Sequence, residues 1–163
     1  HDIGKLSIDS SVLMKPSRLT KKEIEHVQTH VPIAEDILDG IEQDIMLGIM
    51  DHHENYNGTG YPLGKKGDAI SLIGRMLRVV DSYDALRANR AYKPAYSHEQ
   101  TMSIMDKESD FYDIRILSHF KQMRFLTGVD KHYNSDKDEK SVYSCPDIII
   151  NKISVKRNNK GIN

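Results

Sequence analysis

Apolar residues recur every three to four positions in several stretches of the chain, a spacing typical of amphipathic helices. The clearest stretch begins at Thr20, which forms the sequence signature of a capping box with Glu23. The apolar residues that follow at helical spacing are Ile24, Val27, Val31, Ala34 and Leu38. Gly40 can end this helix, and Pro32 predicts a kink or break near residues 30–33.

Further helices are predicted downstream. The first is expected over about 42–54 and the second from Ser71 to about Asn89. The third starts after Ser97, which can cap it because Gln100 lies three residues on, and the fourth runs from about Asp113 to Leu126. The helix at 42–54 is expected to point four apolar residues inward, namely Ile45, Met46, Ile49 and Met50. Residues 6–19 and the glycine-rich 55–70 are predicted to be loops. Because the strand signal is weak throughout 1–127, the prediction is an all-α domain of helices packed on helices.

The character of the chain changes after Gly128. The following residues are polar and aperiodic, and they contain one short β-branched run at Ile148–Ile150. We therefore predict one helical domain over 1–127 and a poorly ordered C-terminal extension of unknown role over 128–163.

Composition narrows the class of protein. The chain has 163 residues, 38% of them hydrophobic, which is enough for a core and too much for a disordered chain. Its 23 Lys and Arg nearly balance its 24 Asp and Glu, so it is not a polybasic binder of nucleic acid polymers. The single cysteine, Cys145, excludes an intramolecular disulfide and a CxxC metal site.

The chain carries eight histidines and begins inside a motif, at His1-Asp2. We expect that the N-terminal part of a longer protein precedes His1. The first 30 residues lack a signal-peptide pattern, and no stretch approaches 18 consecutive apolar residues. We expect this domain to be cytoplasmic, with any membrane anchor of the full-length protein in that preceding part.

Two of the histidine patterns can bind a metal ion, and each has a simpler alternative. The adjacent His1 and Asp2 can bring an imidazole nitrogen and a bridging carboxylate to one region, but the alternative is a frayed terminus. His26 and His30 are spaced i, i+4, which places both on one helix face and can hold one metal. An exposed pair explains that spacing more simply.

A third pattern is Asp51-His52-His53-Glu54, followed by a glycine-rich stretch. Consecutive histidines on a helix point about 100° apart, so they fit two neighbouring metals better than one. The glycines would let the backbone approach a ligand closely. The alternative is a polar helix end that leads into a loop.

A fourth pattern combines acids and bases in the helix predicted from Ser71. Asp81 and Asp84 share one face of an otherwise apolar stretch, where burial is costly unless the carboxylates are paired or metal-bound. The basic residues Arg87, Arg90 and Lys93 follow. They suit either the helix dipole or a bound phosphate.

Together these patterns offer imidazoles and carboxylates beside a basic cluster. Imidazole and carboxylate ligands suit Fe, Mn or Zn rather than Ca or Cu(I). Two close metals that activate water and hold a phosphoryl group are a common solution for phosphodiester hydrolysis.

The chain resembles the HD-GYP family, a subgroup of the HD phosphohydrolase superfamily. The matching segments, in the family's order and spacing, are HDIGK at 1–5, LMKPSRLT at 13–20, THVPIAEDIL at 29–38, HHENYNGTGYP at 52–62 and VVDSYDALRANRAYK at 79–93. FYDIRILSHF at 111–120 fits the family's closing helix, so the resemblance covers about residues 1–125.

The resemblance implies a helical bundle with a glycine-rich GYP loop and two or three divalent metal ions, most often Fe or Mn. It also implies a phosphodiesterase of bacterial signal transduction that hydrolyses cyclic di-GMP to pGpG or GMP. The metal ligands that it implies are His1, Asp2, His30, His52, His53 and Asp81, with Asp2 bridging two metals. Asp2 and Lys5 would be catalytic, and the substrate contacts would be Lys5, Gly60, Tyr61, Pro62, Asp84, Arg90 and Lys93. His26 matches no ligand of the family.

The resemblance also concerns what lies outside this chain. Family members carry a helix upstream of the HD dipeptide, which often supplies further ligands, and commonly follow a receiver or sensor domain. A different class of function stays open, in which the domain is a catalytically weak docking module for GGDEF domains or other partners. The complete ligand set favours the enzyme.

Overall fold

The computed structural model describes residues 1–89 and 94–127, with side chains described up to Met123. Seven α-helices lie in these ranges: α1 (Ser10–Leu13), α2 (Lys21–Gln28), α3 (His30–Ile37), α4 (Gln43–Asp51), α5 (Leu72–Arg87), α6 (His98–Lys107) and α7 (Ile114–Thr127). Short 3₁₀ helices lie at Ile3–Ser7, Gly67–Ala69 and Ser109–Phe111. No strand occurs in the described ranges, which confirms the all-α prediction.

The capping signals in the sequence mark true helix starts. The Thr20 hydroxyl accepts a hydrogen bond from the Glu23 amide, and the Glu23 carboxylate accepts one from the Thr20 amide. The same reciprocal pair joins Ser97 and Gln100 at the start of α6. Such caps satisfy amides that have no partner inside the helix, and each contributes about 1 kcal/mol.

The predicted helix over 20–38 is two helices with a break at Thr29. Thr29 ends α2 and begins α3, one residue before the predicted region of the break. Pro32 therefore lies in the first turn of α3, where a missing amide hydrogen removes no intrahelical bond. Gly40 follows α3 with a φ of 78°, a left-handed conformation that favours glycine.

Two expectations about local structure are wrong. Residues 6–19 are not all loop, because Ser10–Leu13 form α1, whose first turn is capped by the Asp9 carboxylate on the Ser11 amide. Four residues are too few to display a helical period, so the pattern could not reveal α1. Ile45 does not point inward but is 41% exposed, whereas Ile49 on the same helix is buried.

Helix α5 packs against α4, α6 and α7. Two glycines make the contact with α4 close: a Cβ on Gly48 would lie 2.3 Å from a side-chain carbon of Ile73, and one on Gly74 would lie 2.5 Å from Asp51 Cβ. On its other side α5 forms the main hydrophobic core with α6, α7 and the turn before α7. The fully packed members of that core are Val79, Tyr83, Leu86, Met105, Tyr112 and Leu117.

The N-terminal 3₁₀ helix packs directly on α3. A Cβ on Gly4 would lie 1.9 Å from the carbonyl oxygen of His30, so only glycine fits there without a shift. This contact brings the first residues of the chain to the start of α3. None of the helices in the described part of the chain has the length and apolarity needed to cross a membrane.

Candidate metal centre

His30 and His52 are held in the same way, although they come from different helices. The Nδ1 atom of His30 lies 2.6 Å from the carbonyl oxygen of Val27, and that of His52 lies 2.5 Å from the carbonyl oxygen of Ile49. Each Nδ1 therefore carries the proton and donates it to the carbonyl, which leaves the Nε2 lone pair free to bind a cation. Both side chains are fully buried.

Asp2 stands opposite these two histidines. Its Oδ1 lies 3.5 Å from His30 Nε2 and 3.8 Å from His52 Nε2. Its Oδ2 lies 2.5 Å from Lys5 Nζ and 3.7 Å from His1 Nε2. The two oxygens of one carboxylate therefore face two different groups of side chains.

Together with His53, these residues form a cluster that can hold a divalent metal ion. One donor atom from each of Asp2, His30, His52 and His53 lies within 4.8 Å of all the others. That spacing suits ligands that each bind one ion at about 2.1 Å. The four atoms are buried and have no hydrogen-bond partner, namely Asp2 Oδ1 and the Nε2 atoms of the three histidines. Buried polar atoms are normally satisfied, so four orphaned acceptors at one point fit a cation.

Burial sets the charge of these histidines. It lowers the pKa of His30, lowers that of His52 to about 4, and lowers that of His53 well below the ordinary value. The three imidazoles are therefore neutral near pH 7, the form in which imidazole binds metals.

His1 and Asp81 flank this cluster on its more exposed side. His1 Nε2 lies 3.7 Å from Asp81 Oδ1, and interaction with Asp81 raises the pKa of His1. Burial by itself would raise the pKa of Asp81, but the hydrogen bond with His1 and the charges of His1, His52 and Arg78 together outweigh it, so the pKa is lowered. His1, Asp81 and the outer oxygen of Asp2 thus form a second group of donors next to the first.

The expectation that His52 and His53 diverge by about 100° is wrong. Helix α4 ends at Asp51, so helical spacing does not govern His53. The two rings lie 3.9 Å apart between centroids, and both residues belong to the same cluster. His26 is exposed, while His30 lies in the next helix and is buried, so that i, i+4 pair does not converge.

The glycine-rich loop covers one side of the histidines. The ring of Tyr61 stacks on that of His53, with centroids 4.7 Å apart and planes 22° apart. Gly60 and Tyr61 are half-buried and Pro62 is exposed. Asp84 is exposed, one turn beyond Asp81 on α5. Arg90 and Lys93 lie outside the described residues, as does the segment 128–163.

Three buried charged residues that support this loop were given no role from the sequence. Asp51 accepts hydrogen bonds from Lys65 Nζ at 2.7 Å and from the Ser71 amide at 2.8 Å. Glu54 accepts one from the Leu63 amide at 2.7 Å, and Arg78 donates to Asn55 Oδ1 at 2.9 Å. Two sequence signals could have revealed them: Arg78 is a charged residue among apolar neighbours, and Asp51 and Glu54 flank the adjacent histidines.

Comparison with known proteins identifies the family. A family model described as HD domain matches residues 1–116. The chain belongs to the HD domain family. Its GYP loop and its relatives place it in the HD-GYP branch. The relatives are named for hydrolysis of cyclic dinucleotides, and three of them illustrate the range.

A protein named cyclic di-GMP phosphodiesterase from Vibrio cholerae is 40% identical over 114 residues, which are 64% of this chain and 23% of that protein. A 3'3'-cGAMP-specific phosphodiesterase 3 from the same organism is 40% identical over 109 residues, 66% of this chain and 24% of that protein. A cyclic di-GMP phosphodiesterase from Thermotoga maritima is 34% identical over 145 residues, 85% of this chain and 39% of that protein. The chain thus spans less than half the length of each of these relatives.

The fold also matches a solved structure. A crystal structure of a cyclic GMP-AMP specific phosphodiesterase from V. cholerae superposes with a TM-score of 0.50 at 16% sequence identity. The match covers 89% of this chain and 41% of that one. This chain therefore shares the helical fold of that structure.

Proposed function

We propose that this HD-GYP domain is a metal-dependent phosphodiesterase that hydrolyses cyclic di-GMP to pGpG or GMP. One observation carries the proposal: the buried acceptors of Asp2, His30, His52 and His53 converge without hydrogen-bond partners beside a second donor group. The relatives named above supply the substrate class, since all three are named phosphodiesterases of cyclic dinucleotides.

In this proposal Asp2 would help to hold both of two divalent metal ions, Fe or Mn. His30, His52 and His53 would hold one ion, and His1 and Asp81 would hold the other. Asp2 can serve both, because its two oxygens face the two groups. Metal ions bound there would lower the pKa of a water molecule and stabilise charge on the scissile phosphate. The family resemblance also predicts a third ion, for which this proposal assigns no donor group among the described residues.

Lys5 is the proposed catalytic lysine. Its ammonium is 2.5 Å from the outer oxygen of Asp2, and its side chain is 6% exposed, so it is a preorganised charge at the edge of the centre. There it would stabilise negative charge on the phosphoryl oxygens. The other proposed substrate contacts are Gly60, Tyr61, Pro62, Asp84, Arg90 and Lys93. Docking on GGDEF domains and an upstream receiver or sensor domain stay predictions, and the names of the relatives favour hydrolysis over docking.

The test is a hydrolysis assay with cyclic di-GMP and 3'3'-cGAMP on the Mn²⁺-loaded and Fe²⁺-loaded protein, with linear products resolved by chromatography. We expect turnover of cyclic di-GMP that is abolished by Asp2→Asn and by a chelator. Asp36→Asn is the matched control, because Asp36 is exposed on α3, the helix that carries His30. Metal binding without turnover of either substrate would contradict the proposal.

A further inference from the structure

The three inward histidines differ in what orients their rings. A backbone carbonyl accepts a hydrogen bond from Nδ1 of His30 and from Nδ1 of His52. In the part of the chain that the structure describes, no hydrogen bond is recorded for the His53 ring. Its recorded ring contacts are with the two other histidines and with Tyr61, which stacks on it nearly in parallel.

The backbone next to Tyr61 is pressed against the segment that carries His53. The Tyr61 amide donates to the carbonyl oxygen of His53 at 3.3 Å. A Cβ on Gly60 would lie 2.3 Å from the amide nitrogen of Asn55 and 2.5 Å from Glu54 Cα, so glycine permits this approach. Tyr61 is therefore fixed to His53 both through its backbone and through its ring.

Glu54 holds the far side of the same turn. Its carboxylate accepts the Leu63 amide at 2.7 Å, two residues after Tyr61, and Glu54 is 1% exposed. A buried charge-assisted bond of this kind is shorter and stronger than one between neutral groups. Without it, the turn from Gly60 to Leu63 would lose one of the contacts that keep the Tyr61 ring against His53.

We infer that Tyr61 and Glu54 are positioning residues that set the ring orientation of His53 for metal binding. The inference rests on the proposed function only in taking His53 as a metal ligand. Tyr61 acts by stacking, and Glu54 acts by fixing the turn that carries Tyr61. Backbone carbonyls set the ring orientations of His30 and His52. The NMR signals of those two residues can therefore serve as internal references for His53.

The experiment compares two pairs of variants by NMR of ¹³C-labelled histidine rings in the metal-free protein, and by Co²⁺ titration followed by visible absorption. Tyr61→Leu removes the aromatic ring, whereas Tyr61→Phe keeps it. Glu54→Leu removes the acceptor for the Leu63 amide, whereas Glu54→Gln keeps one. Should Tyr61→Leu not fold, the Glu54 pair provides the same comparison.

We expect Tyr61→Leu and Glu54→Leu to shift the His53 signals while those of His30 and His52 stay in place. They should weaken Co²⁺ binding at least about tenfold, as loss of a group that orients a ligand does. Tyr61→Phe and Glu54→Gln should stay within about twofold of the wild-type affinity.

Unchanged His53 signals, or equal shifts of all three histidines, would overturn the inference. A wild-type protein that binds Co²⁺ without hydrolysing cyclic dinucleotides would count against the proposed function, and the NMR comparison would still decide the role of Tyr61 and Glu54.

Discussion

Among single residues, the neutral state of the buried histidines decides what the centre can bind. Burial lowers the pKa of each, because a charged imidazole would lose its hydration there. Two carboxylates, Asp2 and Asp81, lie beside these neutral rings, with Lys5 and His1 as the nearby basic groups. A divalent cation would balance the acids and satisfy the orphaned nitrogens at once, which a water molecule or a hydroxyl group would do only in part.

The two carboxylates should differ in how much metal they hold. Asp2→Asn should lose most of the Mn²⁺ at both positions, because Asp2 faces both groups of donors. Asp81→Asn should lose about half of the Mn²⁺, since Asp81 lies beside His1 and belongs only to the second group of donors. Elemental analysis after Mn²⁺ loading and gel filtration measures both, with Asp36→Asn as the control. Equal losses in the two variants would contradict the bridging role of Asp2.

At the level of elements, the centre depends on how the short N-terminal 3₁₀ helix meets α3. Asp2 immediately precedes that helix, Lys5 lies within it, and His30 begins α3. Gly4 lets the two backbones touch, and the capping box at Thr20 together with the break at Thr29 sets where α3 begins. The start of the helix at Thr20 could be predicted from its capping residues. The close approach of Gly4 to His30 could not, because its only trace in the sequence is a glycine in a ligand motif.

Gly4→Ala should separate the 3₁₀ helix from α3. The added methyl group would overlap the backbone of His30, so we expect a loss of about 1–3 kcal/mol in the free energy of unfolding and weaker Mn²⁺ binding. Gly40→Ala is the matched control: its φ of 78° makes alanine cost about 1–2 kcal/mol, but no atom lies within 4 Å of the new Cβ. Urea unfolding and Mn²⁺ titration measure both effects. Weaker metal binding in Gly40→Ala than in Gly4→Ala would argue against the role of this contact.

Across the whole molecule, the helices other than α1 could be predicted from the chain, but the centre could not be assembled from spacing alone. Its six candidate ligands come from four separate segments, and spacing wrongly separated His52 from His53. Family resemblance picked the candidates, and the structure then placed the donors of Asp2, His30, His52 and His53 together, with His1 and Asp81 beside them. The buried charges that support the loop show no periodicity, because their positions depend on which backbone amides the fold leaves without partners.

One ion network ties the glycine-rich loop to α5 and α7 at a distance from the metal centre. The Asp113 side chain is 2% exposed, and its Oδ2 lies 2.9 Å from Arg75 Nη1 and 2.7 Å from Arg115 Nη2. Asp68 in the loop contacts the same two arginines, at 2.6 and 3.0 Å. The network therefore joins three parts of the chain through a single buried carboxylate.

This network should make the stability of the molecule depend on pH. The Arg115 guanidinium, with help from Arg75, lowers the pKa of Asp113 from 3.8 to about 2. Because the pKa is lower in the folded protein, the stabilisation is complete above about pH 4 and is lost as pH falls towards about 2. The Tm gap between the wild type and Asp113→Asn should therefore be largest near about pH 6 and shrink between about pH 4 and about pH 2. Melting curves across that range measure it, and Asp36→Asn, exposed on α3, should show a small gap throughout. A gap for Asp113→Asn that stays constant down to about pH 2 would mean that the Asp113 charge does not stabilise the fold.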